Sequence, residues 1–352
     1  MNVDMARLEG LVNRIVGEFG AIASAPLVLL GERLGLYRAM AGAGPIDADG
    51  LAERTGVRRR YVQEWLAAQA ASGFVELDPR DGTYSLSPEA AIAFTDESSP
   101  AFMCGGYEVL ASMFLDLDRV ERAFRDGTGL GWHEHHACLY RGTERFFRAG
   151  YNAHLAGEWI PALDGVAGRL ERGGRVADVG CGHGASTIVM ARAWPRSEFV
   201  GYDYHAPSIE VARERAEAAG VSDRVRFEVA GAKDFPGRDF DLVAFFDCLH
   251  DMGDPVGAAR HVHGALAEDG TWMIVEPFAN DAVGDNLNPV GRIFYSASTM
   301  VCTPCSLSQE VGLGLGAQAG ERRLRGVAEE AGFTRWRRAT QTPFNLVLEA
   351  RH

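Results

Sequence analysis

The densest chemistry in the sequence lies in three short runs. The first is Asp247-Cys248-Leu249-His250-Asp251, where an imidazole stands among carboxylates. A histidine titrates near neutrality, so it can take up a proton at physiological pH. The second run is Gly180-Cys181-Gly182-His183-Gly184, directly after Val176-Ala177-Asp178-Val179. Glycines there let the backbone turn tightly after a strand and approach a ligand closely. The third is Trp132-His133-Glu134-His135-His136. A histidine pair on one element, with Glu276, invites an iron or zinc reading. Histidines at i, i+2 and i+3 cannot all face one point of a helix, so a pocket wall or a solvated turn fits better and no metal is assigned. Cys302-x-x-Cys305 has no second pair to complete a four-thiolate zinc site. It reads as two half-buried thiols in a loop.

The elements that must position these runs follow from periodicity. From Gly173 onward apolar strands alternate with amphipathic helices: Arg175–Val179, Ser186–Ala193, Phe199–Tyr202, Ser208–Ala219, Val225–Val229, Leu242–Phe246, Val256–Leu266 and Thr271–Val275. That alternation implies an α/β fold, a mostly parallel sheet with crossover helices on both faces. A helix at Glu321–Ala331 and two strands, Thr334–Ala339 and Asn345–Ala350, close the chain as an antiparallel hairpin. The polar runs then fall at the carboxyl edge of the sheet, where ligands of open α/β sheets bind.

Before this region the pattern is helical. Leu8, Leu11, Val12, Ile15 and Phe19 repeat at helical spacing, and a second helix carries Leu27, Leu30, Leu34 and Tyr37. Asp47 to Thr55, a turn at Gly56 to Arg60, and Tyr61 to Ser72 then read as helix-turn-helix. Two strands around Asp81-Gly82, Phe74–Leu77 and Tyr84–Leu86, complete a winged helix. The expected division is a winged-helix and dimerisation domain over residues 1–100, a helical linker with substrate-pocket residues over 101–165, and a ligand-binding domain over 166–352.

Composition narrows the function classes. Lys plus Arg number 35 and Asp plus Glu 48, a net charge of −13 at pH 7, which argues against gripping nucleic acid or anionic membrane as the main task. The basic start of the second winged-helix helix, Arg58-Arg59-Arg60, could serve phosphates. Its body of Val62, Trp65, Leu66 and alanines offers little to read base edges. The six cysteines are scattered and do not form a secreted disulfide framework. The N-terminus lacks a basic region followed by an apolar core. The longest apolar stretch, near Ala21 to Leu30, is too short to span a bilayer and contains Pro26. The reading is a cytosolic protein.

The glycine loop alone is ambiguous, because Gly180-x-Gly182-x-x-Ala185 also fits a dinucleotide fingerprint and hence a nicotinamide oxidoreductase. Asp178 tilts the balance, since a carboxylate there repels a pyrophosphate but receives an ammonium group. Asp203 ends the next strand, where an acid accepts hydrogen bonds from ribose hydroxyls.

Asp178-x-Gly180-x-Gly182-x-Gly184, Asp203 and the Phe240–Val243 strand resemble class I S-adenosylmethionine-dependent methyltransferases over residues 173–352. The whole chain resembles the bacterial subgroup of these enzymes with an N-terminal winged-helix domain. The resemblance implies a Rossmann-like sheet and S-adenosylmethionine as cofactor. It implies that Asp178, Gly180 and Gly182 hold the methionine moiety, that Asp203 binds the ribose, that Tyr204 flanks the adenine, and that Ala232, Lys233 and Asp234 line the adenine pocket. Asp247 and Cys248 would face the sulfonium. Where many relatives have Gly-Asp after the third strand, this chain has Gly231-Ala232, and Asp234 is the substitute.

His250-Asp251 also resembles the His-Asp pair of plant-type small-molecule O-methyltransferases, which implies His250 as the base, Glu276 as the carboxylate that orients it, and Glu321 as a second one. An N-capping Asp251 beside a packed histidine fits the same residues. His133, Tyr107, Phe147, Tyr151, Asn288, Arg292, Tyr295 and Glu321 are the expected substrate residues, with Gly312–Gly316 as a mobile or tightly packed cover. The expected activity is methylation of oxygen, nitrogen or carbon on a small aromatic or heteroaromatic metabolite by a homodimer. A regulator that binds S-adenosylmethionine or a metabolite, and a nicotinamide oxidoreductase, are the alternatives.

Overall fold

A computed structural model describes residues 3–352. The chain divides into two compact units, Met1–Ala111 with Cys138–Ala149, and Ser112–Ala137 with Gly150–His352.

In the first unit, helix α1 (Met5–Arg33) starts where the Asp4 carboxylate accepts from the Ala6 and Arg7 amides, and it runs through Pro26. One helix therefore replaces the two expected. The break comes at Gly35, whose φ of 70° suits glycine, before α2 (Leu36–Met40). By length and composition alone α1 could cross a membrane. Helix α3 (Ala48–Thr55) is capped by Asp47 and stopped by left-handed Gly56. Helix α4 (Arg59–Ala71) buries Val62, Trp65 and Leu66. Strands β1 (Glu76–Asp78) and β2 (Thr83–Ser85) pair antiparallel around Asp81-Gly82 as the wing. Arg145 binds this unit together: its guanidinium pairs with Glu32, with Glu97 at 2.7 Å and with Glu108 at 2.9 Å.

The second unit is built on a seven-stranded sheet of order β5-β4-β3-β6-β7-β9-β8. Strands β3 (Arg175–Val179), β4 (Glu198–Asp203), β5 (Val225–Val229), β6 (Phe240–Phe246) and β7 (Leu266–Pro277) are parallel. Strands β8 (Arg335–Gln341) and β9 (Asn345–Arg351) are antiparallel, with β9 inserted between β7 and β8. The central strands are apolar because helices cover both faces: Val176, Ala177, Val243, Phe245, Trp272 and Ile274 are buried. The chain leaves β3 toward β4 on one side and meets β6 on the other. The switch point of the sheet thus lies at the carboxyl ends of β3, β4 and β6.

Candidate active site

The glycine loop follows β3 at this switch point. Gly180 has φ of 76°, and a Cβ there would lie 2.9 Å from the Cys248 sulfur, so the loop approaches β6 more closely than a side chain permits. Gly182 has φ of 50°, and a Cβ there would meet nothing within 4 Å. Its surface is open for a ligand. Under the loop, Asp178 is fully buried. Its Oδ2 accepts from the Ser186 and Thr187 hydroxyls, both at 2.6 Å, at the start of the following helix. Its Oδ1 is buried without a hydrogen-bond donor. Burial pushes this carboxyl up to about 6, against the pull of Ser186 and Thr187 and with the charge of Asp203 adding to it.

Asp203 ends β4. Its Oδ2 accepts from the Gly182 amide at 3.0 Å and its Oδ1 from the His205 amide at 2.9 Å, so the carboxylate fixes the glycine loop to the neighbouring strand. Each oxygen keeps a further lone pair for a ligand hydroxyl. Tyr204 beside it is exposed and meets His133 edge-on, with ring centroids 4.6 Å apart. His133 also stacks on His205 at 3.6 Å. Its imidazole is pushed down to about 4, by burial and by His205. His133 therefore stands beside the end of β4 rather than beside His250. His135 diverges from it, with Nδ1 at 3.0 Å from Asp116. The histidine run does not converge on Glu276.

After β5, Asp234 accepts from the Gly231 amide at 3.0 Å and closes that turn, next to partly buried Ala232. The Lys233 ammonium is engaged by Asp254 at 3.3 Å and Glu310 at 3.0 Å.

Strand β6 delivers the second polar run. Asp247 has φ of 50°. Its carboxylate accepts from the Tyr151 hydroxyl at 3.3 Å and from Asn345 Nδ2 at 3.1 Å. Burial, with Glu276 nearby, pushes its carboxyl well up. Cys248 donates to the Val179 carbonyl at 3.3 Å. His250 is buried, with Nδ1 at 2.5 Å from Glu276 Oε2 and Nε2 at 3.2 Å from Asp251 Oδ1. Glu276 Oε1 also accepts from the Leu249 amide at 2.9 Å. Burial opposes charge on the imidazole, but the Glu276 and Asp251 carboxylates outweigh it and raise the His250 pKa well above its ordinary value.

The second carboxylate beside His250 is Asp251, not Glu321. Glu321 is held 3.1 Å from Trp336 Nε1 and 2.6 Å from Arg338. Asp251 does not cap the helix that follows; Asp254 does, accepting from Gly257. Cys302 and Cys305 are buried in the helical stretch Ser298–Leu307 and not half-exposed in a loop. Cys302 offers its sulfur to the His250–Asp251 group.

Asn288 caps the helix Pro289–Ala297 by accepting from Gly291. Arg292 lies exposed on that helix. The Tyr295 hydroxyl accepts from Asn286 at 3.5 Å. Tyr107 and Phe147 belong to the first unit. The Gly312–Gly316 run is tightly tied: Leu313 donates to the Gly253 carbonyl at 2.9 Å, and Gly316 to the His250 carbonyl at 3.3 Å. Reading the sequence missed Asn345, Ser186, Thr187 and His205. Ser186 and Thr187 directly follow the glycine loop, where a helix's first turn faces back on β3, and that position was a usable signal.

This sheet and this strand-edge site define a class I S-adenosylmethionine-dependent methyltransferase fold. Residues 170–332 match the model of a methyltransferase domain, and residues 22–96 that of an Rv2258c-like winged helix-turn-helix domain. The chain thus joins a methyltransferase domain to an Rv2258c-like winged helix-turn-helix domain. It is 33% identical over 139 residues to the 27-O-demethylrifamycin SV methyltransferase of Amycolatopsis mediterranei, covering 37% of this chain and 51% of that one. It is 27% identical over 336 residues to the acetylserotonin O-methyltransferase of Mus musculus, covering 88% and 81% of the two chains. The human N-acetylserotonin methyltransferase, solved with S-adenosylmethionine, superposes with a TM-score of 0.71 at 15% identity over 97% of both chains. The chain spans only 24% and 51% of the length of two curated relatives matched at 34% and 33% identity.

Proposed function

We propose that this protein transfers a methyl group from S-adenosylmethionine to a small aromatic or heteroaromatic metabolite, with a hydroxyl oxygen as the favoured acceptor. The observation that carries the reading is the buried Oδ1 of Asp178, which has no hydrogen-bond donor. A buried carboxylate oxygen without a partner is costly. Beneath an open glycine loop it suits a cationic ammonium and not a pyrophosphate, which also weighs against nicotinamide chemistry.

S-adenosylmethionine, bound at this edge, supplies an activated methyl group. Asp178 receives the amino group, Gly180 and Gly182 admit the methionine portion, Asp203 accepts from the ribose hydroxyls, and Tyr204 and His133 flank the adenine side. The polypeptide's task is then alignment and proton removal. In its neutral form His250 takes the acceptor's proton at Nε2, while Glu276 fixes the ring through Nδ1; the raised imidazole pKa moves the pH range in which that form is present upward. Because His250 and Asp251 stand 3.2 Å apart, they share that proton as a pair, and partly exposed Asp251 is its route to solvent. Tyr151 and Asn345 hold Asp247 beside the transfer site. Asn288, Arg292 and Tyr295 follow β7 as the expected substrate side.

The reading places the protein in the cytosol as a homodimer. The proposed dimer contact is the apolar stripe of α1, where Leu11, Val12, Val16 and Phe19 are all exposed.

The test is calorimetry of the full chain with S-adenosylhomocysteine and with NAD, followed by a screen of phenolic and heteroaromatic acceptors read by mass. Binding of the first ligand and a product heavier by one methyl group are expected. Binding of NAD alone overturns the proposal.

A further inference from the structure

We propose that His250, Asp251 and Cys302 form a site for a divalent ion of the zinc class, and that the ion occupies the imidazole nitrogen on which proton removal depends. The second half rests on the methyl-transfer reading; the first does not.

Each of the three residues offers one ligand atom, and these atoms all lie within 4.8 Å of one another. His250 Nε2 and Asp251 Oδ1 are 3.2 Å apart. Two ligands at about 2.1 Å from a tetrahedral zinc ion stand about 3.4 Å from each other, so this edge of the site already has the spacing of a coordination pair. The imidazole is oriented for the purpose, because Glu276 takes Nδ1 and turns Nε2 toward Asp251. A carboxylate behind a ligating histidine fixes its tautomer and raises its basicity. Asp251 Oδ1 is buried and faces His250 Nε2.

The donor set is mixed: one nitrogen, one oxygen and one sulfur. A thiolate disfavours magnesium and calcium, whereas the combination suits zinc and its neighbours. The frame around the group is fixed. Gln309 Nε2 donates to the Asp251 carbonyl at 2.9 Å and to the Cys305 carbonyl at 3.1 Å, so one side chain joins the two segments that carry the ligands. Asp251 keeps 17% of its side-chain surface exposed, which leaves an approach for the ion. Cys305, the other half of the C-x-x-C, turns its sulfur toward Gln309 Nε2 instead. The site therefore uses one cysteine of the motif, together with residues fifty positions upstream that no spacing rule connects to it.

In the test, the full chain is stripped with a chelator, dialysed and titrated with zinc and with cobalt. One equivalent of metal per chain and a cobalt–thiolate absorption band are expected. C302S should abolish the band, and D251N should weaken the metal by about tenfold or more. Circular dichroism and S-adenosylhomocysteine binding establish that the variants are folded. No stoichiometric binding, or an unchanged band in C302S, overturns the site. In the second arm, zinc should inhibit methyl transfer by the wild type and a chelator should restore it, while the rate of C302S, whatever its basal value, should not change when zinc is added. Stoichiometric metal with undiminished turnover overturns the second half. The binding arm needs no methyl acceptor, so a protein that failed to methylate anything would still report on the metal.

Discussion

His250 Nδ1 lies 2.5 Å from Glu276 Oε2, and the other oxygen of that carboxylate takes the Leu249 amide at 2.9 Å. One buried side chain on β7 thus sets both the ring and the backbone that carries it. His250→Ala should lower turnover by about a hundredfold to ten-thousandfold, the range of a lost general base. Glu276→Gln keeps the shape and removes the charge, so it should lower kcat with little change in KM. Glu276→Ala should also cost about 3 kcal/mol of stability, as for breaking a buried ion pair. Steady-state kinetics and chemical denaturation read these outcomes. Full activity in His250→Ala would remove it as the base.

Asp178 gives cofactor binding a pH dependence. Its carboxyl is raised to about 6, so the unliganded site loses its charge as the pH falls through that value. A bound ammonium favours the ionised form and lowers the pKa. Affinity should therefore be level above about pH 7 and decline below 6, with proton release on binding in that window. Asp178→Asn should weaken binding at neutral pH by about tenfold to a hundredfold, the worth of a charge-assisted hydrogen bond, and flatten the profile. Calorimetry in two buffers of different ionisation enthalpy measures both.

The two loop glycines should separate stability from binding. Gly180→Ala forces a Cβ against the Cys248 sulfur at a φ of 76°, and about 1–3 kcal/mol of stability should be lost. Gly182→Ala meets no neighbour within 4 Å, so its cost to the fold is only that of its φ. Its added methyl stands where the ligand should lie. Thermal melts should rank Gly180→Ala as the worse folder, and affinity for S-adenosylhomocysteine should fall further than stability in Gly182→Ala.

The stripe on α1 should decide the oligomeric state. Phe19 is 65% exposed and Leu11 49%. The double variant Leu11→Glu, Phe19→Glu should convert a dimer to a monomer in light scattering. A wild type that is monomeric at every concentration would show that the stripe serves something other than a second copy.

The winged helix should not shift duplex DNA, even at low salt. Arg59 pairs with Asp49 at 2.5 Å, and Arg60 pairs with Glu64. Two of the three cations in the run are thus already matched by acids. A retarded band that disappears with salt would restore the regulator reading.

The central sheet was legible because burial on both faces leaves a continuous apolar signature, and because glycine has few other reasons to recur after a strand. Strand β3 begins and ends where the pattern puts it, at Arg175–Val179. Helix α1 reads as two in the sequence because its apolar positions fall into two groups, Leu8 to Phe19 and Leu27 to Tyr37, whereas the helix runs on through Pro26. Glu321 was misplaced because its position in the chain says nothing of Trp336 and Arg338, which claim it. Cys302 and Asn345 reach the site only through the three-dimensional return of the chain, and no local periodicity encodes that. His133 was assigned to the substrate wall from polar density alone, while its ring neighbours are Tyr204 and His205.

The chain passes between its two compact units three times, after Ala111, after Ala137 and after Ala149. No single cleavage can release either unit intact. A fragment starting at Gly150 would lack the stretch that supplies His133 and His135, and one ending at Ala111 would lack Arg145 and so leave Glu32, Glu97 and Glu108 as three uncompensated charges. Swapping one half for that of a relative is accordingly a transplant with three sutures. Evolution of this architecture by exchange of whole modules would have had to preserve all of them.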